Sequence, residues 1–158
     1  MGYKYGIWFL IKNRYIDELV ERLNTKPHIP HLTIMCNMTL QEATRVYDYL
    51  KMSDFKECLA IPITNLKLME GNYRDEKEDI AYGLEFSIGN WYQWIETIKR
   101  IFNGDVPVSP HLSIIYRDKE YEDDLPKLKE LEQVNYLMGY LALADIRSDN
   151  PSEWKIIR

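Results

Sequence analysis

Disulfide chemistry has little to work with in this chain. Its 158 residues carry only two cysteines, Cys36 and Cys58, too few to staple a small extracellular scaffold. A reducing, cytoplasmic setting is the resulting expectation. Positive charge is also short: 20 Lys and Arg face 25 Asp and Glu, for a formal net charge of −5. Gripping a long polyanion needs a basic stripe that displaces counterions, so long nucleic acid is not an expected partner. A small nucleotide remains possible, because a few local donors can hold one phosphate. Long apolar runs are missing as well. The stretch Tyr5–Ile11 suits a strand and falls far below the roughly 20 residues that span a bilayer. Gly2 opens a myristoylation pattern that Gly6 then spoils, so no membrane role is expected. Histidine is scarce too, at three copies.

What is present reads as one soluble globular domain, 1–158. Tyrosine is abundant, with 12 copies beside four tryptophans, and most such rings fill half-buried positions. After the strand Tyr5–Ile11, apolar residues at Tyr15, Ile16, Leu19, Val20 and Leu23 follow helical spacing over Arg14–Asn24. Two prolines in "TKPHIP" end that helix and lead into a strand, His31–Cys36. Thr39 and Glu42 are spaced as a capping box for a helix running to about Met52. A β-rich stretch, Cys58–Met69, follows, with Pro62 pointing to an edge or bulge. The charged segment Glu70–Asp79 reads as an exposed hairpin loop, in which Arg74 is the one obvious anion-binding candidate, before a strand Ile80–Ile88. Trp91, Trp94, Ile95, Ile98 and Phe102 mark one side of a helix over Trp91–Phe102. A strand His111–Tyr116, a helix near Asp124–Val134 and strands near Met138–Ile146 and Trp154–Ile157 complete the order. Strand, helix, histidine strand, helix, strand therefore occurs twice. Two similar α+β lobes about an approximate two-fold is the simplest packing for that order.

The two histidine strands spell nearly the same word. "PHLTIMC" occupies Pro30–Cys36 and "PHLSIIY" occupies Pro110–Tyr116. Strand residues two apart share a face, so His31 projects with Thr33 and His111 with Ser113. Leu32, Ile34 and Cys36, like Leu112 and Ile114, belong to the opposite face and read as core. A single His-x-Thr strand is ordinarily a packed histidine, but here two of three histidines head matched strands.

Histidine beside hydroxyl, presented twice, suits phosphodiester cleavage. One imidazole can take a proton from the attacking nucleophile and the other can protonate the departing alkoxide. Thr33 and Ser113 can donate to the non-bridging oxygens, where charge accumulates. No metal is needed. A three-histidine zinc centre from His28, His31 and His111 is a rival, weakened because Pro30 keeps the intervening backbone extended. His28 otherwise reads as a surface loop residue near the mouth of the site.

These motifs resemble those of the 2H phosphoesterase superfamily, and within it the cyclic phosphodiesterases of plant and fungal type. "HIPHLTIMCNMTLQEA" resembles the first-motif strand and following helix, and "SPHLSIIY" the second motif with its tyrosine. "YGIWFLI" resembles the opening strand, and "LALADIRSDNPSEWKII" the closing hairpin. The resemblance implies an α+β, bilobal, pseudo-two-fold fold: two intertwined lobes, with two antiparallel sheets flanking a central cleft and helices outside. It implies metal-independent opening of a nucleoside 2′,3′-cyclic phosphate or ADP-ribose 1″,2″-cyclic phosphate to a phosphomonoester. No cofactor is expected from the sequence, and a monomer is the expected state. His111 is the expected base and His31 the expected acid, with Thr33 and Ser113 on the phosphate. Trp8 and Tyr116 match positions near the nucleotide, although strict alternation sets Tyr116 on the face opposite His111. Alternatives are a 2H enzyme for 2′-5′ oligoadenylates, cyclic dinucleotides or RNA 3′ ends, and a nucleotide-binding protein that does not turn its ligand over.

Overall fold

A computed structural model describes residues 4–24, 26–52, 58–62, 64–72, 79–87, 91–107, 110–118 and 136–158. Eight strands and three helices occur among them: β1 (Tyr5–Ile11), α1 (Arg14–Leu23), β2 (His31–Met38), α2 (Leu40–Met52), β3 (Cys58–Pro62), β4 (Thr64–Asn72), β5 (Asp79–Ser87), α3 (Trp91–Ile101), β6 (His111–Asp118), β7 (Tyr136–Asp145) and β8 (Lys155–Ile156). The helix expected near Asp124–Val134 and the tip of the loop carrying Arg74 lie outside the described residues.

Local signals account for most element ends. Asn13 caps α1 by accepting from the Ile16 N–H at 3.0 Å. Thr39 and Glu42 form the reciprocal capping box: the Thr39 N–H donates to Glu42 Oε2 at 3.0 Å and the Glu42 N–H to Thr39 Oγ1 at 3.2 Å. Pro62 closes a strand at the sheet edge, where a missing N–H is tolerated.

Every strand pairing is antiparallel, and the order is β3-β7-β1-β2-β6-β5-β4, with β8 beside β7. Hydrogen bonding is therefore continuous through one sheet, in place of the two separate sheets expected. The order still reads alike outward from the middle, as β2-β1-β7 on one side and β6-β5-β4 on the other. Each central strand pairs with the strand one helix earlier in the chain, β1–α1–β2 and β5–α3–β6. The seam between the halves is narrow: among the described residues β2 and β6 register through one pair, Leu32 with Leu112.

One face of this sheet packs on the helices. Ile7, Phe9 and Ile11 of β1, Leu32 and Ile34 of β2, Leu112 and Ile114 of β6, and Leu137, Leu141 and Leu143 of β7 form a single core with the inner sides of α1, α2 and α3. A second, smaller cluster of Trp8, Ala144 and Ile146, with Leu10, Ile29, Cys36 and Trp154 against it, lies on the other side. Cys36 therefore belongs with Trp8 and not with Leu32 and Ile34 as strict alternation expects. The cause is a bulge: Trp8 opposes Thr33 but Ile7 opposes Met35, so β2 carries an extra residue there and its faces exchange. A second register shift follows towards Tyr5, and Asn37, next to Cys36, has φ 61°, a conformation that asparagine tolerates better than most residues.

Candidate active site

The Leu32–Leu112 pair sets the geometry of the two motifs. Both leucines face the helices, so their neighbours along each strand face away from them. Continuing the antiparallel register places His31 across from Ser113 and Thr33 across from His111. The two His-x-Thr/Ser motifs thus form a compact array of four side chains on the face turned away from α1, α2 and α3. Thr33, His111 and Ser113 are half-buried, while His31 is 6% exposed.

His31 is held on three sides. Its ring stacks on Trp8, with centroids 3.5 Å apart and planes within 10°, and meets Trp154 edge-on at 5.9 Å. Nδ1 lies 2.7 Å from the Ile29 carbonyl. A carbonyl can only accept, so Nδ1 carries the proton, and the neutral ring keeps its lone pair on Nε2. Burial lowers the His31 pKa from 6.5 to about 3. The Ile29 bond opposes that shift, and the fields of His28 and His111 add to it.

Trp8 is 1% exposed. With His31 on one face of its indole, that face is closed to a ligand ring, so Trp8 supports the histidine instead of offering the nucleotide platform expected of it. Its Nε1 has no hydrogen-bond partner among the described residues. Trp154 carried no site role in the sequence reading. It follows a 3₁₀ turn, Pro151–Glu153, and donates Nε1 to the Ser148 carbonyl at 2.7 Å, which fixes the ring beside His31. The backbone of Tyr116 sits in β6 opposite Ala81; its side chain is outside the described residues.

His28 is not a surface residue. It is 5% exposed, and its Nε2 lies 2.9 Å from the Ser113 carbonyl, so the neutral ring donates there. Burial holds its pKa at about 4, with the Ser113 bond acting in the opposite direction. His28 and His31 are close enough to feel each other's charge, yet each commits one ring nitrogen to a backbone carbonyl. Among the described residues no group of three or more His, Cys, Asp or Glu side chains could hold a metal ion. Nor is any helix among them long and apolar enough to cross a membrane.

No family model matches this chain, and no curated protein matches it. Its fold does have a solved counterpart: the structure of Usb1 from Kluyveromyces marxianus aligns with a TM-score of 0.60 over 99% of this chain and 96% of that one, at 8% identity. The likeness is one of fold alone, and the two His-x-Thr/Ser strands meet at the middle of this chain's sheet.

Proposed function

We propose that this protein is a metal-independent 2H phosphodiesterase that opens a small cyclic phosphate, a nucleoside 2′,3′-cyclic phosphate or ADP-ribose 1″,2″-cyclic phosphate, to a phosphomonoester. RNA 3′ ends are the next candidate substrate class. The observation that supports the reading is the β2–β6 register, which sets the two motif strands side by side with both motifs on the face turned away from α1, α2 and α3.

The tautomer of His31 suggests a division of labour opposite to the one expected from sequence. With Nδ1–H held by Ile29, the Nε2 lone pair is the proton acceptor, so His31 is assigned as base and His111 as acid. Water attacks phosphorus and passes a proton to Nε2 of His31. The P–O bond to the ribose oxygen breaks as His111 protonates that oxygen. Thr33 and Ser113 donate to the non-bridging oxygens as negative charge grows on them. Burial alone makes His31 a weak base, but an anionic phosphate beside the ring favours the imidazolium. Proton uptake is thereby tied to the presence of substrate. At 6% exposure, little of the ring is open to a solute.

The test is a substrate panel in a strong chelator: 2′,3′-cyclic AMP, ADP-ribose 1″,2″-cyclic phosphate, a 3′-terminal oligoribonucleotide and a 2′-5′ oligoadenylate, with products resolved by phosphorus NMR. Ring opening to one monoester without added metal is expected. Tight binding with no product would replace this reading with that of a nucleotide-binding protein.

A further inference from the structure

The seam between β2 and β6 has little ladder to hold it, since among the described residues only Leu32 and Leu112 register across it. Two side chains from the connection between α1 and β2 reach β6 near this seam. Asn24 donates Nδ2 to the Ile114 carbonyl at 2.8 Å, and His28 donates Nε2 to the Ser113 carbonyl at 2.9 Å. Both side chains are buried; the Asn24 bond lies in the interior and the His28 bond is partly buried, so competition from water is reduced at both. The acceptor of the His28 bond is the backbone of Ser113, the hydroxyl residue of the second motif. Three residues beyond His28 the chain begins the first motif, at His31.

We propose that His28 is a positioning residue that locks the second motif against the first, through its hydrogen bond from Nε2 to the Ser113 carbonyl across the β2–β6 seam. It rests on the phosphodiesterase reading above only for its kinetic consequence. Removing this link lets β6 shift against β2, and with it the separation of Ser113 and His111 from His31. Misplacement of about 1 Å at a reacting centre can cost on the order of 10²-fold in rate. Burial keeps His28 neutral, with its pKa near 4, which preserves the Nε2 donor and adds no positive charge beside His31 when that ring takes up a proton.

The experiment compares wild type with His28→Ala and His28→Gln, the glutamine amide carrying a donor to about the position of Nε2. His28→Ala should lower kcat on 2′,3′-cyclic AMP by about 10- to 100-fold with KM changed by less than about 3-fold, and His28→Gln should recover most of the loss. In parallel, NMR of ¹³C,¹⁵N-labelled protein follows the Ser113 carbonyl and the His31 ring. Both should move in His28→Ala and return towards wild type in His28→Gln. A folded His28→Ala with wild-type kcat, or a folded His28→Gln no better than alanine, overturns the proposal. If wild type turns over no substrate in the panel, the functional reading fails. The NMR comparison then decides alone: shifts restored by glutamine support the lock, and shifts unaffected by alanine overturn it.

Discussion

His31 sits where a charged imidazole is hard to sustain, between Trp8, Trp154 and the Ile29 carbonyl. Its stacking and its one committed nitrogen fix both its orientation and its tautomer, which is what a proton acceptor needs. Replacing either His31 or His111 with alanine should reduce turnover of a cyclic phosphate by at least about 10²-fold, with circular dichroism unchanged. Wild-type rates in either variant would remove that residue from the reaction. That His31 shares a strand face with Thr33, and His111 with Ser113, was legible in the sequence because a period of two is local: it needs only the strand and the spacing. Trp154 and His28 were not. Trp154 meets His31 from more than a hundred positions away, and His28 finds its acceptor 85 residues along the chain, and no local pattern encodes such distances. The prolines flanking His28 signalled a loop correctly; that the loop runs across β6, and so buries the ring, is a tertiary fact.

At the scale of elements, caps and periodicity served well. The Thr39–Glu42 box was readable from spacing alone, and Thr39→Ala should destabilise the fold by about 1 kcal/mol, measured by urea denaturation; no change would mean that the cap is dispensable. Strand faces were less secure, because alternation assumes an unbroken ladder. The bulge opposite Ile7 and Trp8 carried Cys36 to the Trp8 side, and nothing in "LTIMCN" marks an inserted residue. The end of β2 is tied instead to the turn after α3, where Cys36 and Asp105 exchange backbone hydrogen bonds at 2.8 and 2.9 Å. Gly104 in that turn lies against buried Met35: an added Cβ would come within 2.6 Å of Met35 Cγ and 2.7 Å of its Sδ. Gly104→Ala should therefore lower stability by about 1–3 kcal/mol through overpacking. A variant as stable as wild type would show that Met35 moves aside freely.

For the whole molecule, the doubled strand–helix–strand order was visible in sequence, but the joining of both halves into one continuous sheet was not. That joint depends on pairing between distant strands, Leu32 with Leu112. It also concentrates two buried, neutral histidines at the centre of the fold. The unfolded chain protonates both below about pH 6.5, whereas the folded chain resists until about pH 4 at His28 and about pH 3 at His31. Stability is thus fully present above pH 6.5 and falls as pH drops, by about 3 kcal/mol per pH unit when both contribute. Urea midpoints between pH 7 and pH 4 should show that slope, and His28→Gln should remove about half of it; a flat profile would mean that neither ring is buried neutral. The central claim, that His31 and His111 flank a single phosphorus, is tested most directly by titrating ¹⁵N-labelled protein with a nucleoside 2′-monophosphate and following the imidazole nitrogens. One ligand should shift both rings with the same Kd, moving His31 Nε2 towards its protonated position. Shifts at one ring alone, or at neither while the ligand binds elsewhere, would contradict it.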